Sequence, residues 1–334
     1  MDKASRKTVC ILGIVLPITV FLATLCIGRY PITIGNVFSA FFSPNSIAAD
    51  VYNVFWGVRF PRTLFALFCG GSLSVCGAVF QGIFRNPLAS PDLLGISSGA
   101  SFGASIAIIL MNATPFFTGL FAFIFGVGTF IIIMRFSSLA RLKGITGIIL
   151  AGIILNSLFQ SGITFLKYTA DPLRQLPALE YWLMGSLNTV TWEKLTMFLP
   201  ICLIAVFIII ILRWQVNLLS LGDEEATALG ARTKIVRGLL IGASSILIAL
   251  IVAMVGIIGW IGLVAPHAVR LLFGDNNQRI IPLSFSAGAV LLLIADTASR
   301  SVSTAELPTS IITALLGAPL LAYILLKKGV RTWK

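Results

Sequence analysis

The stretch GLLIGASSILIALIVAMVGIIGWIGLVAPHAVRLLFG (238–274) decides how many times this chain crosses a membrane. Its 37 residues are too many for one spanning helix and barely enough for two. Gly256, Gly259 and Gly262 could break it near the middle, and Pro266 lies in the second piece. The stretch therefore forms one helix or two, and the charge of the surrounding loops separates these alternatives.

Apolar runs of near-spanning length fill most of the remaining chain. The sequence is 57% hydrophobic and 11% charged, with a mean hydropathy of +1.00, whereas a soluble domain has about 25% charged residues. These features predict an all-α polytopic membrane protein. The other runs are 9–28, 63–84, 93–113, 115–134, 145–166, 195–212, 281–299 and 306–326.

The distribution of Lys and Arg favours ten spans over nine. With ten spans and the amino terminus inside, 17 basic residues face the cytoplasm and 7 face outward, whereas nine spans give 12 on each side. Because cytoplasmic loops carry the excess of Lys and Arg, we predict about ten transmembrane helices in one domain (1–334), with both termini cytoplasmic. The run 9–28 is predicted to be an uncleaved first helix in the cell membrane. The net charge of +12 is then a topological signal and does not indicate nucleic-acid binding.

The residue types of catalysis and metal binding are sparse. The five cysteines lie in apolar runs without a C-x-x-C pair, and His267 is the single histidine, so no metal site or bound cofactor is predicted. Lys never follows Gly, so the chain has no phosphate-binding loop of the G-x-x-x-x-G-K-[ST] type. No nucleophile–base pair is evident either. We predict a protein that is not an enzyme, and any ATPase that drives it is a separate chain.

The loop 214–237, between spans six and seven, concentrates acidic residues. Only 12 of the 334 residues are Asp or Glu, yet Asp223, Glu224 and Glu225 are consecutive. Asp223 is predicted to cap a short helix that ends at Gly230, with acids in its first turn. The helix is either a capped, solvated loop element or a docking knob for a cytoplasmic partner.

Three arginines stand at the predicted outer ends of spans. Arg59 and Arg62 begin span two, and Arg300 ends span nine, four residues after Asp296. Such arginines usually reach to lipid headgroups, but three facing outward could receive carboxylates from an extracellular partner. Asp296 and Arg300 share a helix face, so they are expected to form a local ion pair.

Small residues and prolines mark packing and a turn after span two. Gly95, Gly99 and Gly103 repeat every four residues, which favours close helix packing. The segment FRNPLASPDLLG (84–95) is predicted to end one span and turn the chain before the next.

Four stretches together resemble one family, the membrane permeases of binding-protein-dependent ABC importers for iron–siderophore complexes, haem and cobalamin. The resemblance covers nearly the whole chain, in the family's order and spacing. It is carried by RFPRTLFALFCGGSLSVCGAVFQGIFRNPLASPDLLGISSGAS (59–101), LGDEEATALG (221–230), GIIGWIGLVAPHAVRLLFG (256–274) and ADTASRSVSTAELPTSIITALLGAPLLAYILLKK (295–328).

The resemblance implies a cobalamin-permease-like bundle that pairs with a second permease, identical or paralogous, with the path along their interface and spans five and ten lining it. It also implies two ATPase subunits, which hold ATP and Mg, and an extracytoplasmic binding protein. The implied ATPase-coupling residues are Leu221, Gly222, Asp223, Glu224, Glu225, Ala226, Leu229 and Gly230. The implied docking residues are Arg59, Arg62 and Arg300, and the implied cytoplasmic gate residues are Asn86, Leu88, Gly144 and Gly147.

The resemblance therefore predicts a permease subunit that moves an iron(III)-siderophore, haem or cobalamin, although importers of oxyanions share the same motifs. The alternative is a proton-coupled secondary transporter that uses Asp296, Glu306 and His267 as a relay. A structural or receptor protein without transport is the third hypothesis.

Overall fold

The computed structural model describes residues 11–139, 145–302 and 306–328, and all regular structure in these ranges is helical. Short π- and 3₁₀-helical pieces at Ile11–Val15, Pro44–Ser46, Phe55–Arg59 and Pro91–Leu94 join or precede the α-helices. The α-helices are α1 (Leu16–Cys26), α2 (Ile34–Phe42), α3 (Ala49–Val54), α4 (Phe60–Phe84), α5 (Ile96–Met111), α6 (Pro115–Leu139), α7 (Ile145–Thr169), α8 (Gln175–Leu183), α9 (Trp192–Leu221), α10 (Asp223–Ala228), α11 (Thr233–Val255), α12 (Ile261–Phe273), α13 (Asn277–Ser301) and α14 (Thr309–Lys328).

Six helical stretches in the described ranges are long and apolar enough to cross a membrane, and they establish a multi-pass membrane protein. They correspond to α4, α6, α7, α9, α11 and α13. Four shorter apolar helices, of 10–17 residues each, correspond to α1 with part of the π-helical piece before it, α5, α12 and α14. The long and short helices coincide with the predicted apolar runs. The number of crossings and the side of the termini stay predictions.

The deciding stretch 238–274 is broken into two helices. Its first part belongs to α11, which ends at Val255, and its second part forms α12 and leads to Gly274. Gly256 has a φ of 75°, and a Cβ there would collide with the carbonyl oxygen of Trp182. Only glycine therefore fits this turn. The predicted break is confirmed at Gly256, whereas Gly262 lies inside α12.

Helix α4 forms the centre of the bundle because its small residues let neighbouring backbones approach closely. A Cβ on Gly70 would collide with the carbonyl oxygen of Gly288 on α13, and one on Gly77 with that of Gly262 on α12. The predicted packing role of the second small-residue series is also confirmed, since a Cβ on Gly103 of α5 would lie 2.5 Å from a backbone oxygen of α6. Close backbone contact, rather than large side chains alone, holds these helices together.

The segment between α4 and α5 turns back into the bundle. Arg85 ends α4 in the left-handed region with a φ of 50°, and Pro91 and Leu94 are buried. A Cβ on Gly262 would lie 2.6 Å from Pro91, and one on Gly152 of α7 would lie 2.7 Å from the Leu93 carbonyl oxygen. The predicted turn is therefore an irregular segment wedged between α7 and α12.

Candidate functional site

Helix α10 is a short, well-terminated helix between two long apolar ones. Gly222 precedes it with a φ of 127°, and Gly230 follows it with a φ of 84°. The Gly230 N–H donates to the Thr227 carbonyl at 2.9 Å, and the Ala231 N–H donates to the Ala226 carbonyl at 2.9 Å. This pair of bonds is the Schellman motif, which satisfies the last carbonyls of a helix. The predicted end of the helix at Gly230 is confirmed.

The prediction that Asp223 caps this helix is wrong. Gly222 occupies the N-cap position without a side-chain cap, and Asp223 is the first residue of α10. Its carboxylate instead accepts two hydrogen bonds from the Arg237 guanidinium on α11, one of them at 3.1 Å from Nη1 to Oδ2. The Arg237 side chain is 6% exposed, so it is nearly desolvated. These hydrogen bonds hold the pKa of Asp223 below its usual range.

The outward face of α10 combines acids with leucines. Glu224 and Glu225 are exposed, and the flanking Leu221 and Leu229 are 48% and 62% exposed. Ala226 is fully buried and packs α10 against the bundle. Two large leucines this exposed beside three consecutive acids are not explained by packing of α10 within the chain.

The predicted cytoplasmic elements lie at one end of the molecule. A Cβ on Gly222 would lie 3.5 Å from Nη1 of Arg85, which follows α4. Near the end of α9, the Asn217 amide donates to Oδ1 of Asn276 at 3.1 Å, and the Asn277 N–H donates to the Asn217 oxygen at 2.8 Å. The α4–α5 turn, the 214–237 loop and the start of α13 therefore share one end of the bundle.

Arg59 lies at the opposite end and binds backbone carbonyls of the amino-terminal segment. Its Nη1 donates to the carbonyls of Leu25 and Ile27, and its Nη2 donates to that of Tyr30, each at 3.0 Å. Arg59 is 5% exposed. Its guanidinium therefore anchors the end of α1 and the chain beyond it.

Arg62 is the centre of a buried charge cluster. Its Nε and Nη2 both lie 2.9 Å from Oδ1 of Asp296 on α13, and its Nη1 donates to Glu306 at 2.8 Å. Arg300 also approaches Asp296, with Nε 3.7 Å from Oδ2, and donates to the Thr24 carbonyl. The predicted i,i+4 ion pair is present, but Arg62, 234 residues away in sequence, is the nearer partner of Asp296.

The three arginines form one group, and the interpretation that they reach to headgroups is wrong. They are 4–5% exposed, and carbonyls and carboxylates of the same chain occupy their guanidiniums. The cluster contains three arginines and two carboxylates, Asp296 and Glu306, so the cluster itself has one excess positive charge. Docking of an acidic partner here stays a prediction.

The structure describes three of the four gate residues that the resemblance implies. Asn86 and Leu88 form an exposed turn in which the Asn86 side-chain oxygen accepts the Leu88 N–H at 2.9 Å. Gly147 is buried in the first turn of α7. Gly144 lies outside the described residues. The turn and the start of α7 are placed, and their gating role stays a prediction.

The residues of the alternative relay are not joined by hydrogen bonds in the described chain. Asp296 and Glu306 both bind Arg62. His267 is 1% exposed within α12, and neither ring nitrogen has a hydrogen-bond partner there. Within the described ranges no three His, Cys, Asp or Glu residues are grouped so that they could hold a metal ion.

A second buried polar network escaped the sequence analysis. Arg270 on α12 donates to the Gln81 side chain at 3.2 Å, to the Ala78 carbonyl at 3.0 Å and to the Asn277 side chain at 2.8 Å. It therefore ties α4, α12 and the start of α13 together. The sequence signal for it was that Arg270 and Gln81 lie inside apolar runs. Polar side chains within a membrane require partners inside the protein.

The sequence profile of the FecCD transport family matches residues 15–327. The molybdate import system permease protein MolB of Haemophilus influenzae is 40% identical over 324 residues, which are 95% of this chain and 95% of that protein. The hemin transport system permease protein HmuU of Yersinia pestis is 37% identical over 287 residues, 83% and 84% of the two chains. A solved metal-chelate-type ABC transporter in an inward-facing conformation matches with a TM-score of 0.84 at 37% identity, covering 96% of this chain and 99% of that one.

Proposed function

The chain belongs to the FecCD transport family and is an ABC importer permease subunit, and from this premise we propose its cargo and its partners. The proposed cargo is an iron(III)-siderophore, haem or cobalamin, carried across the cytoplasmic membrane. A separate ATPase subunit would drive transport, and an extracytoplasmic binding protein would deliver the cargo. The exposed acid-and-leucine face of α10 supports the ATPase partner, because a helix fixed at one end of the bundle offers an ATPase a binding surface. The cargo class is supported by the hemin permease HmuU, which is 37% identical to this chain.

Molybdate is a second candidate cargo. It is favoured by MolB, the named molybdate permease, which is 40% identical over 95% of this chain. HmuU, a hemin permease, supports the chelate class at 37% identity over 83%. Uptake by proteoliposomes that contain the full complex distinguishes the two, with radiolabelled molybdate and a ferric siderophore offered separately with the cognate binding protein.

The coupling surface is proposed to be α10 and its flanks. Exposed Glu224 and Glu225 would face basic residues of the ATPase, while Leu221 and Leu229 would supply apolar contact. Asp223 has a different role, because it ties α10 to α11 through Arg237. Closure of two ATPase subunits around ATP and Mg would then move the two permeases between inward- and outward-open states.

Reversing the exposed acids tests this surface. We expect Glu224→Lys/Glu225→Lys to weaken ATPase association by at least about tenfold, because like charges facing each other across an interface cost more than ~1.4 kcal/mol. Glu193→Lys is the control for each single reversal, Glu224→Lys and Glu225→Lys, since Glu193 is an exposed first-turn acid of α9 at the opposite end. Equal association of both variants and the unmodified protein would show that the acids serve only the helix.

The binding-protein surface is proposed to include the three arginines of the buried cluster. Because their guanidiniums are bonded within the chain, docking would require partner carboxylates to compete with Asp296 and Glu306. Arg59→Glu/Arg300→Glu is expected to weaken docking in variants that still purify as folded protein. An unchanged docking affinity at low salt would contradict the assignment.

Affinity purification in mild detergent with native mass spectrometry tests the assembly. A complex of two permeases and two ATPase subunits is expected, and its mass separates a homomeric pair from a paralogous one. For the proton-coupled alternative, an uncoupler would abolish uptake while ATP is held constant. For the importer, an ATPase-dead partner would abolish uptake while the proton gradient is intact.

A further inference from the structure

A cavity of about 630 Å³ lies where the ends of several apolar helices meet, away from α10. The end of α5, the start of α6, helix α8, the start of α9 and the end of α11 surround it, and α7 and α14 contribute nothing to its lining. It is therefore separate from the path that spans five and ten are expected to line.

The cavity walls are held by hydrogen bonds between its elements. The Gln175 amide donates to the Ile109 carbonyl and to the Asn112 side chain, each at 3.0 Å, which joins α8 to the end of α5. The Ser186 N–H donates to the Val255 carbonyl at 2.8 Å, which joins the chain after α8 to the end of α11. The cavity is therefore formed before any ligand arrives.

The lining contains two cations and no acid. Lys194 is half-buried, and its Nζ lies 2.9 Å from the Thr189 hydroxyl and 2.9 Å from the Met254 carbonyl. An ammonium group has three N–H donors, so one donor is left for the cavity. Arg174 is exposed at the rim, and its guanidinium makes no hydrogen bond or ion pair to any described residue.

Nearby carboxylates do not neutralise these two cations from inside the cavity. Asp171 accepts the backbone N–H groups of Leu173 and Arg174, at 2.7 and 3.2 Å. Glu180 forms an ion pair with Lys167 at 2.8 Å, and Glu193 is exposed. None of the three acids lines the cavity.

The remaining wall is mostly apolar and aromatic. Ala178, Ala253 and Trp182 line it, and Tyr181 is 46% exposed beside it. Tyr and Trp concentrate where membrane meets water, which is where a lipid headgroup would reach this cavity. A ligand with an anionic head and an apolar body would satisfy both halves of this lining.

We propose that this cavity binds a phosphate-type oxyanion, with Lys194 and Arg174 as the ligating cations and the apolar wall beside it. The oxyanion is either the headgroup of an anionic lipid or a free oxyanion in solution. The cavity lining shares no residue with the proposed coupling surface or with the three clustered arginines, so this site and the proposed function can fail separately.

The test measures binding to the delipidated full chain by native mass spectrometry. Phosphatidylglycerol is titrated against phosphatidylcholine, which has a similar apolar body but a neutral headgroup, and inorganic phosphate is added as the free oxyanion. Arg174→Gln/Lys194→Gln is expected to lower phosphatidylglycerol affinity at least about tenfold, because charge-assisted hydrogen bonds are lost. Lys234→Gln/Arg279→Gln removes the same net charge at two exposed positions outside the cavity and is expected to bind normally.

Each outcome either tests the proposed site or identifies the source of the oxyanion that binds there. Phosphatidylglycerol that phosphate does not displace identifies a lipid site, and phosphate that binds alone and displaces the lipid identifies a soluble oxyanion. Equal affinity of the Gln double variant and the unmodified chain would overturn the proposal. If the double variant fails to fold, the rim variant Arg174→Gln decides through a several-fold loss, with Lys194→Arg expected to retain binding.

Discussion

Removal of Arg62 is expected to destabilise the protein strongly. Its guanidinium binds Asp296 at 2.9 Å and Glu306 at 2.8 Å, with side-chain exposures of 4% for Arg62, 2% for Asp296 and 28% for Glu306. In Arg62→Met, Asp296 would keep only Arg300, at 3.7 Å. Removal of one partner from a buried pair costs about 3–5 kcal/mol. We expect about 3 kcal/mol, since Arg300 and the solvent at Glu306 compensate in part.

Thermal unfolding in detergent measures this loss. About 3 kcal/mol corresponds to a fall of roughly 4 °C in apparent Tm for a chain of this size. Adding Asp296→Asn should recover part of the loss, because the stranded charge is removed, with an interaction energy of at least about 1 kcal/mol in the double-mutant cycle. Arg279→Met, at an exposed position, is the control and should change stability by less than about 0.5 kcal/mol. An Arg62→Met Tm within about 1.5 °C of the unmodified protein, roughly the effect of 1 kcal/mol, would refute the argument.

Two further changes test the ion pair on α10 and the packing of α4. The lowered pKa of Asp223 means that its bond to Arg237 stabilises the fold above the unfolded pKa of about 3.9 and loses this effect as pH falls through the folded pKa. The stability difference between the unmodified protein and Asp223→Asn, about 1 kcal/mol for a pair so exposed on one side, should therefore be constant from pH 8 to pH 5 and shrink below about pH 4. Gly77→Ala would force a methyl group onto the Gly262 carbonyl oxygen and should lower stability by about 3 kcal/mol or more; Gly128→Ala, with open space around it, should be neutral in the same thermal assay.

Local sequence rules predicted the helices and their breaks because those depend on neighbouring residues. Gly256 and Gly230 were predicted as break and terminator, and both have the positive φ that favours glycine. The same rules failed for Asp223, where capping competes with a cation 14 residues further on. Arg237 folds back only because α11 runs beside α10, and no local pattern encodes that pairing.

The buried arginines were misjudged for the same physical reason. Arg62 and Asp296 are 234 residues apart, so their ion pair depends on the packing of α4 against α13. The signal for that packing was present in Gly70, but its partner Gly288 could not be identified from one sequence. The proposed oxyanion cavity was also invisible, since Arg174 precedes α8, Lys194 belongs to α9, and they line one cavity only through the fold of the intervening chain.

A chain of contacts through α11 connects α10 to the first residue of α14 without involving the central helix α4. Arg237 ties the start of α11 to Asp223. At the other end of that helix, Gly256 abuts the backbone of Gly185, whose carbonyl accepts the Thr309 N–H at 3.0 Å at the first residue of α14. A helix of 23 residues spans about 35 Å. Helix α11 therefore covers the distance between the proposed coupling surface and α14, a helix that is expected to line the path. Coupling between two sites through a packed helix requires a contact at each end of that helix. In α11 these contacts are Arg237 with Asp223 and Gly256 with Gly185, and a substitution at Arg237 or at Gly256 would disrupt one of them.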